Sequence, residues 1–404
     1  MTQGPEQCDV IIAGAGPAGI ATALYLLKRR PELAGRVIAF EKARHPRPKV
    51  CAGGLIPRTI AALDELGIGL EVPAVRVTAG LARTEMGRVD MPRGEVLCTI
   101  VRRDQFDAAL AAAARRAGLR IVEDCRVEQV EESGGSIRVT ADRRSFEAQL
   151  IVGADGSGSR VRRALFSERR ELIGRGLMID LPVDPNVAIE FRDSLYRFDF
   201  DCVRAGVRGY AWSFPCIVDG RPHLNAGIYD QFADGRTPNP LMIDQLRQAF
   251  PQIDIPADAR RFRVFPIRWF DMSDRFASRL ALLAGDAAGV DPLMGEGISY
   301  AFEHGRLAAE SIARFLDGDD AALGSYDHAL HRGAIGRKLS RLGFAARRFY
   351  GPRHRLYFRL AHLSPKAQQM GVDWYNGARN LDQVPARRLI ARWARAVLLG
   401  RPVR

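Results

Sequence analysis

The 404-residue chain has five lysines among its 60 basic residues, and none of its apolar runs approaches the ~18 residues needed to cross a bilayer. Its opening, MTQGPEQ, lacks the charged stretch and apolar run of a secretory leader. The six cysteines (Cys8, Cys51, Cys98, Cys125, Cys202 and Cys216) include no Cys-x-x-Cys pair. These features argue against a structural zinc site and for reduced thiols in a cytoplasm. The seven histidines show no ligand spacing, so no metal is expected. No Ser-His-Asp arrangement or carboxylate pair can be argued, which removes the common hydrolase chemistries. Internal repeats and low-complexity linkers are also missing.

With 47% hydrophobic and 26% charged residues, the chain has the apolar mass for a real core, and disorder is excluded. Its length suits two or three domains. The charge is unevenly placed. Residues 330–404 hold 17 Lys and Arg against two acids, Asp373 and Asp382, within a net charge of +13. The rest is nearly neutral, so the chain is a balanced body with a basic C-terminal module. In PARRLIARWARAVLL (385–399), Leu389, Ile390, Trp393 and Val397 fall on one helical stripe with the arginines largely elsewhere. Such a face suits an anionic lipid surface or an acidic protein partner, as well as plain solvation. No recognition fold for nucleic acid accompanies the charge, and no nucleic-acid partner is expected.

The opening pattern predicts a strand over 9–13, a Gly-rich turn, a helix over 18–30 stopped by Pro31, and a second apolar strand over 36–43. A further helix is expected over 104–117, with Asp104 as its N-cap. Between 171 and 265 the chain breaks into short aromatic and β-forming runs separated by turn residues, the mark of an antiparallel sheet. A buried strand and glycine turn return near 279–289, and the tail from 320 is expected to be mostly helical.

GAGPAG sets Gly14, Gly16 and Gly19 in a Gly-x-Gly-x-x-Gly pattern between strand and helix. The first glycine permits the tight turn, the second lets backbone approach a pyrophosphate, and the third lets the helix pack close. The helix N-terminus then holds the anion. Glu41, 22 residues after Gly19, ends the second strand where an acid suits a ribose hydroxyl pair. Two further turns follow: Asp155-Gly156 after a strand, and Gly285-Asp286 leading to Pro292, Gly295 and Gly297. Each alone is a common turn, but the ordered set is hard to explain as turns only. In YAWSFP (210–215), alternation puts Tyr210, Trp212 and Phe214 on one face of a strand and Ala211 and Ser213 on the other. The aromatic face can be a domain core or an apolar wall for a long or flat substrate.

These three glycine-punctuated turns resemble the fingerprints of FAD-dependent enzymes of the aromatic hydroxylase fold. KVCAGG (49–54), VRRDQFD (101–107) and YAWSFP resemble segments of the geranylgeranyl reductase family, over about residues 8–320. The resemblance implies an α/β (α+β overall) architecture. A discontinuous Rossmann-like FAD-binding domain would span 1–170 and 266–320, an antiparallel-sheet substrate domain 171–265, and a helical basic region 321–404. It also implies that Gly14, Gly16 and Gly19 cradle the FAD pyrophosphate, with Pro17 and Ala18 between them, and that Glu41 and Lys42 lie at the adenosine side. Arg103 is implied at the phosphate or ribityl region and Asp286 at the ribityl and pyrophosphate side. Pro292, Gly295, Gly297 and Ile298 are implied along the isoalloxazine. Ala52, Gly53 and Val127 complete the cofactor set, and Cys51 sits near the active face of the flavin.

The implied reaction is hydride transfer from reduced, non-covalently held FAD to a C=C bond of an isoprenoid or lipid-like substrate. Cys51, Tyr210 and Trp212 are the catalytic candidates, and Cys51, Tyr210 or water the proton donor. With no second dinucleotide domain, NAD(P)H would act transiently, or a ferredoxin-like protein would supply the electrons. The alternative is a flavin monooxygenase acting through a flavin hydroperoxide on a small aromatic or lipid substrate, or on a tryptophan of a partner protein. A cytoplasmic location is expected, peripheral to the inner membrane face if the basic module meets lipid.

Overall fold

A computed structural model of the chain describes residues 4–91, 94–166, 173–231 and 240–362, together with 368, 371–373, 375, 388 and 391. The stripe expected over 385–399 lies, apart from Arg388 and Ala391, outside the described residues. Strand β1 (Glu6–Ala13) leads through a glycine turn into helix α1 (Pro17–Arg29), and strand β2 (Val37–Phe40) follows. β1 begins before the apolar run because Glu6–Cys8 also pair with Phe146–Ala148. Helix α1 opens with Pro17 at its first position, where the missing N–H costs nothing. The expected helix near 104 begins instead at Arg103, with Arg102 at the N-cap. Asp104 sits in the first turn, where its charge favours the positive helix end.

β1 and β2 belong to a seven-stranded sheet. Five of its strands run parallel in the order Arg120–Val122, β2, β1, Arg144–Gly153 and Ala281–Leu283. The middle strands are continuous apolar runs buried on both faces, as a helix-covered parallel sheet requires. Register fixes the rest. Ala13 pairs with Gly153, and Gly153 with Leu283. The turns that follow these strands, at Gly14, Asp155 and Gly285, therefore emerge side by side at one carboxyl edge, where ligands bind in such sheets. The hairpin Val127–Ser133 and Ser136–Ala141 adds antiparallel strands against the first half of Arg144–Gly153.

A second seven-stranded sheet runs in the order Arg263–Arg268, Ile173–Pro182, Arg221–Asp230, Gly209–Val218, Leu195–Asp199, Ala79–Thr84 and Gly87–Met91. It is antiparallel except where Leu195–Asp199 meets Ala79–Thr84. The sheet reaches beyond the 171–265 span. It takes two strands from 79–91, and Arg263–Arg268 crosses the boundary expected at 265. The 79–91 stretch has few strand-forming residues and gains its place from pairing with a strand more than a hundred residues away. One face of this sheet packs Leu177, Ala211 and Ile228 against the helix Pro240–Ala249. Its other face turns toward the first sheet. The helices Ala322–Arg332, Ala334–Phe349 and His354–His362 follow. Among the described residues no helix is long and apolar enough to cross a membrane.

The helix Ile298–Leu316 lies along α1, and Gly305 makes that approach possible: a Cβ there would stand 2.7 Å from the Thr22 nitrogen. Gly305→Val should therefore separate the helices. The expected loss is about 1–3 kcal/mol of stability, seen as a lowered Tm in thermal unfolding, together with weaker flavin retention.

Candidate active site

Two cavities meet between the sheets. The first, about 390 Å3, follows the carboxyl edge of the parallel sheet. Gly14, Gly16, Pro17, Ala18, Glu41, Lys42, Cys51, Arg103, Val127, Asp286, Gly295, Gly297 and Ile298 line it. Gly19 stands behind this wall, where a Cβ would strike the Gly14 carbonyl. Gly14 has φ +100°, and a Cβ there would collide with the Ala154 carbonyl. Ala52 and Gly53 face the second cavity, and Pro292 is buried in the loop between the two. Glu41 accepts from the Ala15 and Ala43 N–H groups, each at 3.3 Å. Arg103 is buried and its guanidinium is taken by Asp107, at 2.8 and 3.0 Å, with the Cys51 thiol beside it.

Sequence reading missed Arg47. This residue lies 3.3 Å from both Glu41 and Asp107, lines the cleft, and buries its Nε without a hydrogen-bond partner. Gly16 leaves room beside it: a Cβ would stand 3.4 Å from Arg47 Nη2. A cation on the cleft wall, ion-paired with two carboxylates but with an Nε that makes no hydrogen bond, stands next to a glycine cradle and a helix N-terminus, and this combination fits a pyrophosphate. The residues present thus fit FAD. HPRPK carries no local signal that separates Arg47 from its basic neighbours.

The loop from Asp291 to Gly297 divides the two cavities, and its backbone polarity is set by side chains. The carbonyl of Pro292 accepts from Gln231 Nε2 at 3.0 Å, that of Leu293 from the Tyr350 hydroxyl at 2.6 Å, and that of Met294 from the Tyr210 hydroxyl. The N–H groups of Leu293 and Met294 donate to the Asp291 carboxylate at 2.7 and 3.2 Å. Three consecutive carbonyls are thus held toward the second sheet and the C-terminal helices. The helix Ile298–Leu316 starts at the end of this loop, where the Glu296 carboxylate accepts from the Ser299 N–H at 2.8 Å, and Gly297 and Ile298 at its start line both cavities. Burial, with Glu296 nearby, pushes the Asp291 carboxyl up to about 7. The Tyr375 hydroxyl donates to it at 3.0 Å.

The second cavity, about 490 Å3, shares Cys51, Phe265, Ile267, Gly295, Gly297 and Ile298 with the first. Its main wall is aromatic. Tyr210, Trp212 and Phe214 all face it, while Ala211 packs in the core on the opposite face. Glycines let rings lie flat on the sheet: a Cβ at Gly227 would enter the Trp212 ring, and one at Gly176 the Phe265 ring. Trp212 Nε1 donates to Asn225 Oδ1 at 2.8 Å. The Tyr210 hydroxyl is engaged with Met294, and burial raises its pKa well above the usual phenol value. Cys51, half-buried, accepts from the Gly53 N–H at 3.4 Å. Toward another side, Thr84 Oγ1 and His362 Nε2 lie 2.8 Å apart. The basic C-terminal helices form the roof through Leu342, Phe349, Phe358 and His362, a role the charge pattern of the tail did not suggest. Among the described residues no cluster could hold a metal.

This geometry defines a flavoprotein, and the chain belongs to the FAD binding domain family, whose model matches residues 7–339. It is an FAD-dependent oxidoreductase. Similar proteins include the menaquinone reductase of Mycolicibacterium smegmatis, 30% identical over 75% of this chain and 76% of that one. The geranylgeranyl diphosphate reductase of Rhodobacter capsulatus is 28% identical over 76% and 75%. Among solved structures, a geranylgeranyl bacteriochlorophyll reductase-like protein from Thermoplasma acidophilum superposes with a TM-score of 0.72. It is 20% identical, over 94% of this chain and 98% of that one.

Tyr350→Phe frees the Leu293 carbonyl without changing ring packing. FAD affinity should fall roughly threefold to tenfold in a fluorescence titration. Asp291 supplies a pH test. Its folded-state pKa is raised, so its contribution to stability is complete below about pH 4. That contribution is lost as pH rises through about 7. Wild-type Tm should decline across that window, and Asp291→Asn should flatten the decline in calorimetry.

Proposed function

We propose that the protein reduces a carbon–carbon double bond of an isoprenoid or similarly apolar substrate. The observation that carries this reading is the aromatic cavity of about 490 Å3 sharing a wall with the FAD cleft. When bound, FAD supplies the hydride. The chain's own residues do the rest. Gly14, Gly16 and the start of α1, with Arg47, hold the pyrophosphate. Glu41 and Lys42 meet the adenosine side, and Asp286 the ribityl side. Gly297 and Ile298, at the end of the loop, lie along the isoalloxazine. Tyr210 orients that loop through Met294, while Trp212 and Phe214 exclude water and align the alkene. Cys51, at the junction of both cavities, or a water beside it, delivers the proton. Similarity to proteins named menaquinone reductase and geranylgeranyl diphosphate reductase supports the same class here.

The reductant in this reading is NAD(P)H or a ferredoxin-like protein, engaged transiently. The roof helices expose Phe344 and Leu356 among arginines, which supports a seat on an anionic membrane face from which a lipid substrate is drawn.

The test is anaerobic. Reduced, FAD-loaded protein is mixed with prenyl lipids or prenylated quinones. Return of the yellow flavin colour without oxygen, with two hydrogens gained in the prenyl chain by fragment mass spectrometry, is the expected outcome. Colour that returns only when oxygen is admitted, with an oxygen atom gained by the product, establishes the monooxygenase alternative instead.

A further inference from the structure

Among the described residues, the apolar cavity is lined by no lysine or arginine and by a single carboxyl, that of Glu296. A charge in such surroundings is costly. Burial raises the Glu296 carboxyl above the ordinary glutamate range, against the lowering effect of its Ser299 hydrogen bonds and of Arg58. An acid held toward its neutral form on the wall of a cleft is a candidate for proton transfer.

Its position is built. Glu296 stands between Gly295 and Gly297, which both line the cofactor cleft as well as the apolar cavity. Asp291 and Ser299 on either side are 0% and 1% exposed, whereas Glu296 keeps accessible surface. The carboxyl is held by one residue: Oε1 accepts from the Ser299 N–H at 2.8 Å, and Oε2 meets the Ser299 hydroxyl at 2.5 Å. A hydroxyl donates to a carboxylate and accepts from a carboxylic acid, so the same geometry suits both protonation states. Arg58, on the helix Pro57–Glu65, and Glu303 form a partly exposed ion pair near it. Arg58 favours its charged form and Glu303 opposes it. Asp291, Cys98, Tyr210, Tyr300 and Tyr375 are the other titratable groups that feel its charge.

A double bond that carries alkyl groups alone has no carbonyl to take up negative charge, so hydride cannot add to it first. A proton must, and thiols and water are much weaker acids than a carboxylic acid. We infer that Glu296 is the catalytic acid for such a double bond lying in the apolar cavity. Its proton goes to the less substituted carbon, the π pair forms the new C–H bond, and the other carbon becomes a tertiary cation. The cation then takes hydride, with both electrons, from reduced FAD, which is left oxidised. The Glu296 carboxylate regains its proton from water. Aromatic faces on the same wall favour the positive charge. Tyr210 is among the groups that feel the Glu296 charge, and a Cβ at Gly54 would stand 3.0 Å from Cys98 Sγ and 3.8 Å from the Phe214 ring. This rests on the reductase reading and narrows its substrate to an unconjugated alkene with one end more substituted than the other.

The test needs no turnover. Protein loaded with oxidised FAD, which has no hydride to give, is incubated with geranylgeraniol in heavy water. Protonation followed by loss of a proton returns the alkene carrying deuterium, read by mass spectrometry. Wild type should exchange, and Glu296→Gln, which keeps the acceptor for the Ser299 N–H, should slow exchange by about a hundredfold with Tm and FAD affinity unchanged. Glu303→Gln should exchange nearly as wild type does. Exchange by wild type should fall as pH rises, with a midpoint above the ~4.3 of an ordinary glutamic acid; should Glu296→Gln fail to hold FAD, this profile decides. Wild type without exchange, exchange undiminished in Glu296→Gln, equal loss in Glu303→Gln, or a rate that does not fall with pH would overturn the assignment. Glu296-dependent exchange in a protein that fails the anaerobic reduction leaves the acid standing and removes the reductase reading. Anaerobic reduction that persists in Glu296→Gln does the reverse.

Discussion

The register between three parallel strands governs this molecule. Ala13, Gly153 and Leu283 lie in one row across the sheet, and each is followed within two residues by a turn that touches the cleft. A shift of one strand by a single residue would turn its apolar side chains out of phase and move its turn out of the row. The continuous apolar runs of these strands, buried on both faces, hold that alignment. Residues from the start, middle and last third of the chain thus become neighbours through backbone pairing, before any side chain touches a ligand. The cofactor cleft is a consequence of how the sheet core packs.

The aromatic wall depends on a different device. A sheet face carrying tyrosine, tryptophan and phenylalanine ordinarily fills its own space. Here glycines on neighbouring strands let rings recline along the sheet, as with Trp212 over Gly227 and Phe265 over Gly176. Aromatic area is kept while volume is left open. The second requirement of such a pocket is that its polar atoms be quiet, and hydrogen bonds from Tyr210 and Trp212 to fixed acceptors achieve this. The result is an environment that favours apolar carbon.

Much of the cofactor half was legible because its chemistry is local. GAGPAG, Glu41 and the turns at Asp155 and Gly285 are each recognisable within a few residues, and the structure brings them to one cleft, while strand alternation correctly put Tyr210, Trp212 and Phe214 on one face. What stayed hidden depends on distant pairing. The strands at 79–91 are weak on their own and are recruited by Leu195–Asp199. Arg47 matters because Glu41 and Asp107 converge on it. The helices over 334–362 fall in the stretch read by its charge, and charge alone does not say what the apolar face of a helix covers.

Tyr350 belongs to the segment joining two roof helices, yet its hydroxyl grips the Leu293 carbonyl on the loop that faces the cofactor. A single hydrogen bond from outside both sheets thus ties the roof of the apolar cavity to the wall that this cavity shares with the cofactor cleft, so a change in the packing of the roof is felt at the boundary of both chambers.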